Sequence, residues 1–154
     1  MNNRGFTLIE VLSVLVILST ITLIFIVPNI IKTVDKTRET SFASNAKIIA
    51  TKATSMYKQE KYKNDTNIFI ENKIYLKDIK DIDNLEDPYG GEYDKENSFV
   101  QFKNELVDTV NVNKVYIYLI SCKNNKCHRV GTANDPISDE ELTSKDVKEE
   151  NKTE

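Results

Sequence analysis

The spacing of apolar and polar positions changes character along the chain. From Val11 to Ile31 no residue is charged and most are apolar; as a helix these 21 residues cover about 31 Å, enough to cross a hydrocarbon core. A single carboxylate, Glu10, stands at the rim of this run. Beyond Pro28 the apolar positions thin to Phe42, Ala46, Ile49, Ala53 and Met56, spaced by four and three, while Lys47, Lys52 and Lys58 fall on other faces. That is the stripe of an amphipathic helix. The pattern therefore predicts one helix from about Phe6 to about Tyr57, apolar all round over residues 6–31 and amphipathic over 32–60. Pro28 is expected to kink it, because its ring removes a backbone donor and crowds the preceding turn.

From Asn64 onward short apolar runs alternate with turn signals. Ile68-Phe69-Ile70 and Ile74-Tyr75-Leu76 are such runs, and Leu76 to Ile79 has the look of a helical turn. In Asp87-Pro88-Tyr89-Gly90-Gly91 the proline fixes one torsion and the glycines permit positive φ, so a tight turn is expected. Phe99 to Phe102, the alternating stretch Val115 to Ile120, and Cys127 to Gly131 read as three strands of an antiparallel meander lying across the helix stripe. The predicted class is α+β: a long N-terminal helix packed on a small antiparallel sheet, with the head at residues 61–133. Between Ser138 and Glu154 seven acidic residues face three lysines and apolar content is low, so residues 134–154 are expected to form a flexible acidic tail.

Composition narrows the chemistry. With 21 Lys+Arg against 24 Asp+Glu there is no basic excess, and no direct nucleic-acid binding is predicted. Cys122 and Cys127 flank a polar hairpin loop, which allows either a disulfide, if the head is exported, or two free thiols. A zinc site fails on inventory, since His128 is the only histidine and no third cysteine exists. Asp135, Asp139 and Glu140 offer oxygens for calcium, yet their spacing matches no calcium loop, and no metal or other cofactor is expected. No phosphate-cradling glycine loop or HExxH motif occurs, and His128 has no nucleophile in a recognised pattern, so an enzyme is not expected.

Glu10 carries the most information. An ionised group at the edge of a membrane helix needs a partner, a proton or a route to water, because burying it alone costs several kcal/mol. Arg4-Gly5-Phe6-Thr7-Leu8-Ile9-Glu10 with the apolar helix behind it closely resembles the processing site of type IV prepilins. The Asp-Pro-Tyr-Gly turn is similar to one that opens the sheet in many pilins and pseudopilins. The resemblance implies that residues 1–5 are a leader, cut between Gly5 and Phe6 by a prepilin peptidase that also methylates the new Phe6 amine. It implies that Glu10 pairs with the Phe6 amine of a neighbouring subunit in a fibre of parallel helices, setting axial register. Its expected partners are other pilin subunits, the peptidase/methyltransferase, and an inner-membrane assembly platform with its ATPase. The implied course is from single-pass membrane protein to extracellular filament.

Competing readings exist. A secretory signal has a shorter core and no acid at its start. With only Arg4 before the span and Lys32, Lys36 and Arg38 following it closely, charge bias would put the carboxyl end in the cytoplasm, so the outward orientation rests on the prepilin resemblance. Within the pilin class the chain is a pilus subunit or, alternatively, a pseudopilin of a secretion or DNA-uptake apparatus. Outside the class it is an unassembled membrane-anchored binding protein.

Overall fold

The computed structural model describes residues 7–25, 27–63, 72–107 and 110–151. It is α+β, as the sequence predicts. Helix α1 spans Leu8–Phe25 and α2 Val27–Lys63. Seven strands follow among the described residues: β1 Lys73–Tyr75, β2 Glu92–Tyr93, β3 Phe99–Val107, β4 Val110–Lys123, β5 Lys126–Val130, β6 Ile137–Ser138 and β7 Val147–Asn151. The chain divides within α2 into two compact units, the first reaching Thr37 and the second running from Arg38 to Glu154. Pro28 is the second residue of α2, and the turn before it contains Ile26, which lies outside the described residues. The kink expected at Pro28 would fall on that turn and so lies outside the described residues. Gly5, Phe6 and the run Ile68-Phe69-Ile70 also lie outside the described residues.

In the second unit the sheet order is β1-β3-β4-β5-β7, every pairing antiparallel. The long β4 organises it. Its first part pairs with β3, with Val100 opposite Ile117, and its last residues pair with β5 across a tight turn. The short strands β2 and β6 add further partners to β4. Inward-facing Ile74, Val100, Ile117, Leu119 and Val130 meet the α2 stripe of Phe42, Ala46, Ile49 and Ala53, all at 1 % exposure or less. Ala43, Ala46, Ala50 and Ala53 recur at spacings of three, four and three, so the small side chains let helix and sheet approach closely while the larger residues fill the gaps. Tyr57 closes one end of the interface by stacking on Phe102 at 4.3 Å between ring centroids.

The turn at Asp87 is built as its residue types require. The Gly90 N–H donates to the Asp87 carbonyl at 2.8 Å, and the Gly91 N–H donates to Asp87 Oδ2 at 2.7 Å. Gly90 sits at φ 72°, and a Cβ on Gly91 would lie 2.8 Å from the Cys122 carbonyl oxygen. From the helix side Asn45 Nδ2 donates to the Glu86 carbonyl at 2.9 Å and to the Tyr93 hydroxyl at 2.8 Å, fastening this loop to α2.

The expectation of a flexible acidic tail over residues 134–154 is overturned for residues 137–151; residues 152–154 lie outside the described residues. Residues 137–151 return to the sheet: β6 pairs with β4 and β7 with β5, with Val130 opposite Val147. Three things hold the segment. Leu142 is 1 % exposed and plugs the core, with Ile137 and Val147 packed beside it. Thr143 and Asp146 form a reciprocal capping box at a 3-10 turn, with both Thr143 donors within 2.8 Å of Asp146 Oδ2. Across the strands Lys126 Nζ meets Glu149 at 2.8 Å and Arg129 Nε meets Glu150 at 2.6 Å. The acids that make the segment look disordered by composition are partners for the basic residues of β5, and β7 satisfies backbone groups that β5 would otherwise leave unpaired.

Candidate functional site

Helix α1 has no buried residue: Leu8 is 87 % exposed and Leu12, Leu15, Ile17, Leu23 and Phe25 are all more than half exposed. A helix apolar on every side is stable only against another apolar phase, either lipid or copies of itself. The helix from Leu8 to Gln59 contains a window long and apolar enough to cross a membrane. Its hydroxyl side chains are already satisfied within the helix. Ser13, Ser19 and Thr22 hydroxyls donate to the carbonyls of Ile9, Leu15 and Leu18 at 2.7–2.8 Å, and Thr20 donates to Ile17 at 2.8 Å. The surface offered outward is thus hydrocarbon, as a bilayer demands.

Glu10 stands at the N-terminal end of this surface, in the first turn of α1. The Thr7 N–H and the Thr7 hydroxyl both donate to Glu10 Oε2 at 2.8 Å. In return the Glu10 N–H lies 3.1 Å from the Thr7 carbonyl and 3.4 Å from its hydroxyl oxygen. This is a capping box, in which the residue before the helix and the third residue inside it satisfy each other's unpaired donors. It also sets a negative charge where the helix dipole favours one. By charge alone Glu10 reads as a group awaiting an outside partner, yet Thr-x-x-Glu before an apolar run is also the pattern of a helix cap. The box fixes the carboxylate in place. Its other oxygen, Oε1, accepts no hydrogen bond among the described residues, so an ordered carboxylate keeps one acceptor there unengaged.

The candidate residues beyond Pro28 belong to the second unit. Cys122 and Cys127 are directly opposed on β4 and β5 and are joined by a disulfide, with Cα atoms 4.1 Å apart. His128 stacks on Tyr89 at 3.4 Å between centroids, and its Nε2 lies 3.5 Å from Glu149. It thereby couples the Asp87 turn to β5. Asp135 is exposed in a turn where its N–H donates to the Thr132 hydroxyl at 2.9 Å. Burial raises the Asp139 carboxyl above the usual range, with neighbouring Glu140 adding to the rise. Among the described residues no three or more His, Cys, Asp or Glu side chains are placed to hold a metal ion.

Residues 1–26 match the family model of the prokaryotic N-terminal methylation motif, the type IV prepilin-like signal. No curated protein and no solved structure matches the chain. The motif supports a type IV pilin-like or pseudopilin protein, implies processing by a prepilin peptidase, and agrees with membrane anchoring through the apolar helix.

Proposed function

We propose that this chain, opened by the prepilin-like methylation signal, is a type IV pilin subunit: a structural protein, not an enzyme, polymerised into a surface filament through its N-terminal helix. Cleavage after Gly5 and methylation of Phe6 release a mature N-terminus four residues ahead of Glu10. The apolar helix holds the subunit in the membrane until the assembly platform and its ATPase extract it, and then it packs among identical helices. Glu10 meets the Phe6 amine of a neighbour, which fixes register. In surroundings of low dielectric, leaving one charge without its partner costs about 3–5 kcal/mol, so misaligned subunits are rejected. The observation that carries this reading is an apolar helix with no buried residue and one pre-ordered carboxylate at its tip.

Replacing Glu10 by Val tests it. The variant is expected to insert in the membrane at the wild-type level but to be absent from sheared filaments; assembly at the wild-type level refutes the pairing role. The related pseudopilin reading differs in product. Long filaments released by shearing favour the pilus, and short fibres that stay with the envelope favour a secretion or uptake apparatus.

A further inference from the structure

The face of the sheet turned away from α2 belongs neither to the core nor to the N-terminal assembly surface. Alternation along the strands assigns its residues. Ile74, Val100 and Ile117 point to α2, so Tyr75 on β1, Phe99 and Gln101 on β3, and Tyr116 and Tyr118 on β4 point outward. Strand pairing sets the rings in a row, Tyr75 opposite Phe99 and Phe99 opposite Tyr118, with centroids 6.0 and 5.6 Å apart. Phe99 is buried at the centre of the row, whereas Tyr75, Tyr116 and Tyr118 are half-buried and keep surface for contact.

Cations stand among these rings. Lys73 Nζ lies 4.8 Å from the Phe99 centroid, and Lys103 Nζ lies 4.7 Å from that of Tyr116. Lys114 is directly opposite Lys103, so the strand pairing gathers positive charge here instead of dispersing it. Lys77, at 5.9 Å from the Tyr75 centroid, is engaged by Glu96 at 2.6 Å. Over residues 73–75, 99–103 and 114–120 the outward positions hold lysines and no acid. The chain as a whole carries 21 basic against 24 acidic residues, a balance that speaks against nucleic acid, but the fold sorts these charges by face.

We propose that this face binds single-stranded nucleic acid, with bases on the Tyr75 and Tyr118 rings and phosphates on Lys73, Lys103 and Lys114. Aromatic rings that stack bases beside cations that meet the backbone are what a single strand requires, and both are present on one antiparallel sheet. The division of roles follows from the contacts. Phe99 and Tyr116 already hold an ammonium over their rings, whereas among the described residues Tyr118 holds none and the lysine near Tyr75 is engaged by Glu96. Tyr75 and Tyr118 flank Phe99 and lie about 10 Å apart, two strand spacings. Gln101, opposite both Lys73 and Tyr116, offers an amide to a base edge. A duplex keeps its bases stacked within itself and presents phosphates alone, so it engages the lysines without the rings. The site does not depend on filament assembly.

The test uses the full chain in dodecyl maltoside micelles and follows the anisotropy of a fluorescein-labelled oligothymidylate of about 12 nucleotides. Saturable binding is expected, weakened about tenfold or more by Tyr118→Leu and by Tyr75→Leu and retained by Tyr118→Phe, which keeps the ring. Lys73→Gln and Lys103→Gln should each make the salt dependence shallower, by about 0.7 in the slope of log K against log salt. Lys58→Gln, exposed on α2 across the sheet, should change neither affinity nor slope. If a leucine variant loses its near-ultraviolet circular dichroism, the lysine slopes and the comparison with duplex carry the test. Absence of saturable binding, wild-type affinity in both folded leucine variants, unchanged slopes in both lysine variants, or a duplex of the same length binding as tightly overturns the proposal. So does equal competition by polyglucuronate at the same total charge, which would make the face a site for acidic polymers at large.

Discussion

Phe42→Ala is the sharpest test of how α2 holds the head. Phe42 is fully buried and meets the rings of Tyr89 and Tyr93 at centroid distances of 6.0 and 5.7 Å. Those rings belong to the Asp87 turn and to β2, so the cavity left by truncation lies between elements that cannot easily collapse into it. Phenylalanine-to-alanine changes in such places cost about 3–5 kcal/mol, a large part of the 5–15 kcal/mol or so by which a domain of this size is stable. At about 4 °C per kcal/mol the melting temperature should fall by roughly 12–20 °C. The assay is near-ultraviolet circular dichroism of the full chain in micelles, which follows tyrosine packing; α1 stays helical in detergent and would mask a far-ultraviolet change. Ile48→Ala is the control. Ile48 is 39 % exposed on the same helix, and its loss should cost under about 1 kcal/mol. A Phe42→Ala drop no larger than the control's would refute the packing.

Reduction should also lower the melting temperature. Cys122–Cys127 closes a small loop, and the chain-entropy argument gives about 2 kcal/mol; an unchanged melt with fully reduced thiols would show that the hairpin does not need the bond. Acid should loosen β7 before α2. Hydrogen bonding from Lys126 and its charge hold the Glu149 carboxyl below the usual range, and the Thr143 hydroxyl and N–H do the same for Asp146. A depressed folded pKa means stability that is present above the ordinary carboxylate range and lost as pH falls through the lowered values. Asp139, raised by burial, acts in the opposite sense. Amide protection of Cys127 to Val130, corrected for intrinsic rate, is therefore expected to decline below about pH 4 while that of Ala46 to Ala53 persists; equal protection in both segments down to pH 2 would contradict it.

Much of the architecture was legible in the residues, for reasons that vary by element. The α2 stripe shows plainly because helical burial imposes a fixed period, and β3, β4 and β5 show because inward and outward residues alternate. The full length of β4 did not: Val110 to Lys114 contains Asn111, Asn113 and Lys114, and pairing with β3 carries the strand past them. β7 was hidden more completely. Val-Lys-Glu-Glu-Asn has one apolar residue, and its place is set by the β5 edge, by ion pairs and by the distant Leu142 plug. None of these is local. At the candidate site the charge of Glu10 stands out in the sequence and hides its second role as a cap, and the aromatic row of the outer sheet face draws its rings from β1, β3 and β4, which no single stretch of sequence displays together.

The measurement closest to the central claim is the mass of the amino-terminal peptide of the protein as its cells accumulate it. The account predicts a chain that starts at Phe6 and carries one methyl group on its amine. A chain retaining Met1, or one cut beyond the apolar helix, would contradict it.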